Sequence, residues 1–430
     1  MRIFQYTDSD FNKWLGTLNR TLQPTCKMRS CVQKIIQDVR KRGDLALLYY
    51  TKKFSGGELE ESQLRVDKQE VSSAVATLLP STSRAILAAR ANLLKFARRT
   101  LRKNWSSRNM QGAMIGERFD PFDRVGIYVP GGTAPLVSSA VMTCTLAMAA
   151  GVQEIVVATP GGADGSISSS LLAALALCGA TEIYRIGGVQ AIAALAYGTK
   201  TVASVRKVFG PGNPYVVEAK RQVFGRTSVD LLPGPSEVLV IADASARPDW
   251  IAADLLAQSE HGSESVAVLL TDSPQLLNKV YKTIKEQVKF CSRKTQLRDS
   301  LKNACLVLCK GMDQCVQVAN KFSSEHVSVA TCNPEEVAGQ LMAAGAIFLG
   351  GISPIAVGDF LAGLSHELPT GGTGKSFSGL TADQFQRRTS IFRFNEDSLR
   401  KSLPFIDTLC QVEGLDAHAY SAFVRLPRKG

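Results

Sequence analysis

The chain has 430 residues, 45% hydrophobic and 20% charged, with 50 Lys and Arg against 38 Asp and Glu for a net charge of +12. A mean hydropathy of +0.02 with so few charges excludes a disordered chain, and 35 Gly with 17 Pro exclude collagen-like or low-complexity repeats. Only four histidines are present, a short supply if imidazole chemistry is needed.

The opening MRIFQYTDSDFNKW carries Asp8 and Asp10 and no apolar run. It reads as neither a secretory signal nor an Arg- and Ser-rich transit peptide, so a cytoplasmic protein is expected. Helices are expected over 27–56 and 69–108, the second with apolar positions at Ile86, Leu87, Leu93, Leu94, Phe96, Ala97 and Leu101. That segment also holds Arg84, Arg90, Lys95, Arg98, Arg99, Arg102, Lys103 and Arg108, with no acid from Ser81 to Met110. Such a run suits a nucleic-acid surface or, more simply, the solvated face of an amphipathic helix, which is the reading preferred.

From Arg124 short apolar runs alternate with Ala-rich helices. RVGIYVPGG reads as strand and turn, PLVSSAVMTCTLAMAAG as a helix ending on Gly151, and EIVVATP as strand. SSSLLAALALCGA (helix to Gly179), EIYRIGG (strand), QAIAALAYG (helix), SVRKVFGPGN (strand and turn) and EVLVIAD (strand) continue the pattern. The uncharged stretch from Val125 to Gln153 contains Pro130, Gly131, Gly132 and Pro135, so it is no membrane span. Segments 266–271, 304–309 and 346–349 repeat the strand texture, and the chain after about Ser390 is short and helical. The alternation predicts α/β architecture with parallel sheets covered on both faces, in two units. Ten scattered cysteines without a CxxC pair read as reduced packing residues.

In such sheets ligands bind in loops beyond the carboxyl ends of strands. Those loops are PGG (130–132), GGVQ (187–190), GPGN (210–213) and PGPSE (233–237), carrying Gln190, Asn213 and Ser236. None is a GxGxxG fingerprint with an acid about 20 residues on, so glycines alone do not establish a nucleotide site. DLLAQSEHG should be helical up to Gly262, which sets Asp254, Gln258 and His261 on one stripe. Gln258 and His261 have the i, i+3 spacing open to a metal. Glu325 and His326 stand side by side directly before a strand, as a general acid/base pair can. Asp359 and His366 fall in a loop-like glycine-rich segment. Glu413 precedes Gly414, with Asp416 as N-cap of a helix that carries His418 in its first turn.

Together these segments closely resemble the histidinol dehydrogenase family over roughly residues 25–425. The carrying motifs are VGIYVPGGTAPL, GGVQAIAALAYGT, FGPGNPYV, EAKRQV, GPSEVLVIAD, LLAQSEHG, SSEHVSV, GDFLAG, SHELPTGG, SGLTADQFQRR and EGLDAHA. The resemblance implies two incomplete Rossmann-like parallel-sheet domains with short N- and C-terminal helical appendages. It divides the chain into a tail or dimer arm (1–24), a domain with the zinc and base residues (25–127 plus 240–382), a domain contributing to NAD binding (128–239) and a C-terminal helical segment (383–430). It implies oxidation of L-histidinol through L-histidinal to L-histidine, with two NAD⁺ and one Zn²⁺ per subunit, in a homodimer. Zinc ligands are then expected at Gln258, His261, Asp359 and, in trans, His418. His326 would be the base and Glu325 the activator of water. Tyr128, Gln190 and Asn213 would bind NAD. Ser236, His366 and Glu413 would contact substrate beside Gln258, His261, His326, Asp359 and His418, with Glu413 also given in trans. The loop departs from the family in Ser365 where Asn is common and Glu367 where Val is common, and Pro233 replaces Ala before GPSE. The segment 84–108 is also more basic than is usual in the family. Alternatives are a related zinc/NAD dehydrogenase acting on another amino or sulfo alcohol, a non-catalytic zinc-binding relative, and, more distantly, a nucleic-acid-binding protein. No membrane partner is expected.

Overall fold

The computed structural model describes residues 1–16, 24–131 and 136–426; Gly132 and Pro135 of the first loop, residues 17–23 of the tail and the last four residues lie outside these. The strands in chain order begin with β1 (Arg2–Gln5), β2 (Trp105–Arg108), β3 (Met114–Pro121) and β4 (Arg124–Tyr128). Next come β5 (Glu154–Ala158), β6 (Glu182–Tyr184), β7 (Lys207–Phe209), β8 (Ser228–Val229) and β9 (Glu237–Ala242). β10 (Val266–Thr271), β11 (Cys305–Leu308), β12 (His326–Ala330), β13 (Ala346–Leu349) and β14 (Gln386–Arg393) complete the set.

Two parallel sheets result, one ordered β6-β5-β4-β7-β8 and one ordered β1-β11-β10-β9-β12-β13. Their strands read as continuous apolar runs, such as Val-Gly-Ile-Tyr in β4 and Val-Leu-Val-Ile-Ala in β9, because both faces are buried. Each sheet carries one apolar cluster on either face. Strand order reverses between β4 and β7 in the first sheet and between β9 and β12 in the second, which opens a crevice at each reversal. A third, antiparallel sheet, β14-β3-β2, has no counterpart among the sequence expectations.

Several expectations are corrected here. The 27–56 helix is two, Cys26–Arg42 and Asp44–Ser55, broken at Gly43, whose φ of 56° lies in the left-handed region. The 69–108 helix is Lys68–Ala76 followed by Pro80–Thr100, with 105–108 in β2. Its buried stripe is Ile86, Ala89, Leu93 and Ala97, and all but Arg90 of the eight cations are exposed, as a solvated face requires. The proposed division of the chain also differs. Residues 26–100 pack their Val32, Ile35, Ile36, Leu47, Leu93 and Ala97 on the β4–β8 sheet, not on the 240–382 part. Residues 1–16 are no free arm: β1 adds an edge strand beside β11, and Phe11 and Trp14 enter that unit's core. All ten cysteines are free thiols, six of them buried, as expected for packing residues.

The two units are clasped where Asn92, on the Pro80–Thr100 helix, donates its side-chain amide to the Leu361 carbonyl at 2.8 Å. Gly363 lies so close that a Cβ would stand 2.8 Å from the Asn92 backbone carbonyl. The C-terminal helices Glu396–Glu413 and Asp416–Phe423 pack chiefly on each other.

Behind the loop after β7 lies a buried ion pair, Lys220 with Asp230. Lys220 also donates to the carbonyls of Gly210 and Leu231 at 2.9 and 2.8 Å, and Asp230 accepts from the Gly210 N–H at 2.7 Å. Gly210 has φ +106° and a Cβ there would sit 2.0 Å from the Tyr128 carbonyl oxygen. Gly210→Ala is therefore expected to cost about 3 kcal/mol or more, read as a lowered urea midpoint at unchanged m. An unaltered midpoint would mean the loop tolerates a side chain.

Candidate active site

The carboxyl ends of β4 and β7 open toward the amino ends of β9 and β12, and a cavity of about 440 Å³ lies between them. Pro130, Pro211 and Gly212 reach it from one sheet, and Ser236, Glu325 and His326 from the other. The expectation of ligand loops beyond carboxyl ends thus holds for the first sheet only. In the second sheet the chemistry gathers at the amino end, because PGPSE precedes β9 and His326 is itself the first residue of β12.

His326 is buried, its Nδ1 3.3 Å from the Glu237 carbonyl oxygen. A carbonyl only accepts, so Nδ1 carries the proton and Nε2 presents a lone pair. Nε2 is 3.6 Å from Asp359 Oδ1, and the ring leans on Phe348 at 5.7 Å. Burial pushes the imidazole down to about 4, against the pull of Asp359, so the ring is neutral at pH 7. Glu325 Oε2 accepts the Glu237 N–H at 2.8 Å and lies 3.8 Å from His326 Nδ1. Burial, with the nearby Glu237, Asp359 and Glu367 carboxylates, raises its pKa well above the carboxylate range. A cation among these acids would reverse that shift.

The other expected residues divide. Asp359 is on a short helix, Ile355–Phe360, not in a loop, and its Oδ2 is 4.0 Å from His261 Nε2. The helix expected to reach Gly262 ends at Ser259, so His261 turns off the stripe toward the cavity. Asp254 faces elsewhere, into a separate 200 Å³ recess with Trp250, Ser328 and Thr331, where burial raises it to about 6. Gln258 is buried one turn before His261, and neither atom of its amide has a hydrogen-bond partner. Two orphaned polar atoms at such a place fit a missing ligand, since burying an amide without partners is costly. His261 and Asp359 add an imidazole and a carboxylate, the donor types zinc takes. Among the described residues, no group of three or more His, Cys, Asp or Glu is gathered to hold a metal within one chain. Glu413 and His418 are exposed on the C-terminal helices and do not line the cavity. The N-cap there is Leu415, with Asp416 the first helical residue.

Ser236 and His366 line the cavity as expected. Three further lining residues, Ser139, Glu264 and Glu367, are not among those the sequence points to for the site. Nor is Glu237, although its N–H and carbonyl hold both Glu325 and His326 and its Oε1 accepts the Gly371 N–H at 3.0 Å. An acid at the head of an otherwise apolar strand is the available signal. The cavity is lined by four acids (Glu264, Glu325, Asp359, Glu367) and three histidines, and by no Lys or Arg among the described residues.

A larger cleft, about 930 Å³, opens at the carboxyl ends of β4, β5 and β6, and Tyr128, Gln190 and Asn213 all line it. Asn213 lines both cavities, so they meet beside this residue. Its Oδ1 caps the helix Pro214–Val223 through the N–H groups of Tyr215 and Val216, leaving its Nδ2 as a donor. The Tyr128 hydroxyl accepts the Gly188 N–H at 3.1 Å, and burial raises its pKa. Gln190 Oε1 is buried with no partner, an acceptor suited to an incoming hydroxyl or amide. Gly131 and Gly187 both press on Pro160, where a Cβ would come within 2.5 Å, so the cleft walls are bare backbone. Volume, exposed backbone and orphaned amide fit a dinucleotide.

A family model described as histidinol dehydrogenase matches residues 18–426. The chain is 42% identical over 429 residues to a histidinol dehydrogenase of Heliobacterium mobile, covering 100% of both. It is 41% identical to one of Geobacillus kaustophilus, over 96% of this chain and 97% of the relative. The crystal structure of histidinol dehydrogenase from Elizabethkingia anophelis superposes with a TM-score of 0.94 at 32% identity, covering 99% of this chain and 98% of that one.

Proposed function

This chain belongs to the histidinol dehydrogenase family, and from that premise we propose that it oxidises L-histidinol through L-histidinal to L-histidine, reducing two NAD⁺ in histidine biosynthesis. The observation that carries the reading is the Glu325–His326–Asp359 cluster, buried where a dinucleotide-sized cleft meets a small acidic cavity.

The alcohol enters with its hydroxyl toward His326. The neutral Nε2 takes the hydroxyl proton as hydride leaves the carbinol carbon, and Asp359 steadies the resulting imidazolium. NAD⁺ would be held by Tyr128, Gln190 and Asn213, which line the larger cleft, and would supply the hydride acceptor for both oxidations. For the second, Glu325 takes a proton from water as it adds to the aldehyde, while the His326 imidazolium returns its proton to the aldehyde oxygen, and the Glu237 N–H holds the carboxylate in place. The hydrate then loses its hydride, again with His326 as base. Ser236 and His366 line the substrate, with Glu413 of the partner subunit set to contact it as well. Zinc would be held by Gln258, His261, Asp359 and the partner subunit's His418, and would supply a Lewis-acid anchor for the substrate's imidazole and amine.

Among related alcohols the lining favours amino alcohols over an anionic sulfo alcohol, since among the described residues it offers a sulfonate no Lys or Arg. The exposed cations of Pro80–Thr100 belong to no part of this scheme, and nucleic-acid binding has no further support. The cytoplasm is the proposed location; among the described residues no helix is long and apolar enough to cross a membrane.

One assay tests the reading. Zinc-restored protein should form two NADH per L-histidinol, and metal-stripped protein should be slower by about a hundredfold or more. One NADH per alcohol, or indifference to zinc, would refute it.

A further inference from the structure

The side chains of Lys220 and Asp230, 0% and 3% exposed, pair at the roots of two loops that wall the small cavity. Lys220 Nζ, reaching back from the helix Pro214–Val223, donates to the carbonyls of Gly210 at 2.9 Å and Leu231 at 2.8 Å, and Asp230 Oδ1 takes its remaining N–H. An ammonium has three donors, and here all three are used. Asp230 Oδ2 accepts the Gly210 N–H at 2.7 Å, so the pair holds both polar backbone groups of Gly210.

Each anchored carbonyl begins a stretch of cavity wall. Gly210 leads through Pro211 and Gly212 to Asn213, beside which the cofactor cleft and the small cavity meet. Leu231 leads through residues 233–236, which also line the small cavity, into Glu237, whose N–H and carbonyl hold Glu325 and His326. This second stretch carries the chain from β8 in one sheet to β9 in the other. Neither Lys220 nor Asp230 lines either cavity, so the pair acts on the site through backbone alone.

We infer that Lys220 is a positioning residue for hydride transfer, its one ammonium fixing the wall that ends at Asn213 against the wall that leads to the base. The inference rests on the reading of the site as that of a histidinol dehydrogenase, and it names what spaces the two walls. As filling alone, a buried ion pair does no better than apolar side chains of similar volume. A cation with three fixed acceptors does what apolar packing cannot, pinning two backbone segments to one point. Rates that fall about 10²-fold for a misplacement of about 1 Å give that point its weight.

Two variants separate this role from stability. In Asp230→Asn the carboxamide oxygen still accepts the Gly210 N–H, and the amine, charged or neutral, keeps the two donors that the carbonyls need. Lys220→Met/Asp230→Asn removes both charges and leaves both carbonyls without the amine. With zinc-loaded enzyme in excess over L-histidinol and NAD⁺ saturating, single-turnover NADH formation should stay within about threefold of wild type in Asp230→Asn. In the double variant it should slow by about 10²-fold, with KM for NAD⁺ and L-histidinol within about threefold in both. Urea midpoints measured alongside show whether rate follows stability. In protein without substrate or metal, amide hydrogen exchange should rise about tenfold or more over 210–213 and 231–236 in the double variant only, and stay unchanged in β5 and β10. Lys220→Gln, which keeps a donor for one carbonyl, takes the double variant's place if that does not fold, with slowing of about tenfold expected. The inference is overturned if the folded variant lacking the amine transfers hydride at the wild-type rate, if its two loops exchange as in wild type, or if Asp230→Asn is slowed as far. Should wild type oxidise no histidinol while those loops loosen as stated, the functional reading falls and Lys220 remains their anchor.

Discussion

His326→Ala should lower kcat for the first oxidation by about 10³-fold, the largest single effect expected in this protein. A positioned general base contributes roughly 10²–10⁴-fold, and here no neighbour can replace it. Asp359 is aimed at the lost Nε2 but is an expected zinc ligand, and Glu325 is occupied by the Glu237 N–H. The side chain is buried beside Phe348, so the truncation also leaves a gap, and a melting curve should accompany the kinetics. Glu325→Gln should instead leave the first NADH of a single turnover nearly intact and slow the second by about 10²-fold. Rapid mixing with L-histidinol and, separately, with L-histidinal distinguishes the two steps. If Glu325→Gln left both at wild-type rate, its assignment to water activation would be wrong.

Equal mixing of inactive His261→Ala and His418→Ala subunits, with exchange allowed, should restore about a quarter of wild-type activity. Half the dimers are then hybrids, and each hybrid has one pocket with every ligand intact and one lacking two. This follows from the proposed dimer in which the C-terminal helices complete the partner's site. Those helices expose Phe405 at 62%, Leu409 at 62% and Val412 at 80%, along with Tyr420 and Phe423, an apolar face that a monomer rarely leaves in water. Glu413 and His418 sit on the same pair of helices and outside their own chain's cavity. Activity no higher than that of the unmixed variants, once exchange is verified, would place the fourth ligand elsewhere.

Much of the fold is legible in the sequence. Strand and helix periods alternate cleanly from Arg124 to Leu349, and Gly151 and Gly179 mark helix ends that the structure keeps near the same places. The departures are local. Gly43 breaks a helix whose apolar period runs through it, and Trp105–Arg108 pairs with β3 because a tertiary neighbour outweighs the basic helical texture. Assigning 26–100 to the wrong sheet reflects the same limit, since apolar stripes do not say which sheet they cover. In the site, the adjacent Glu325–His326 pair is readable, whereas its support by Glu237 spans 88 residues of sequence and depends on β9 and β12 being neighbours. The stripe of Asp254, Gln258 and His261 misleads because the helix stops one residue after Gln258.

The clasp of Asn92 on Leu361 bears on more than packing. The cofactor cleft belongs to the sheet of β4–β8, while His326 and Asp359 belong to the other unit, so the gap a hydride must cross is set between two bodies rather than within one. Transfer rates fall steeply when reacting atoms are misplaced by about 1 Å. Catalysis is therefore a far stricter gauge of how the two bodies sit than any measure of folded content. Heat, solvent or a distant substitution that loosens the clasp can silence the enzyme while every strand and helix remains in place.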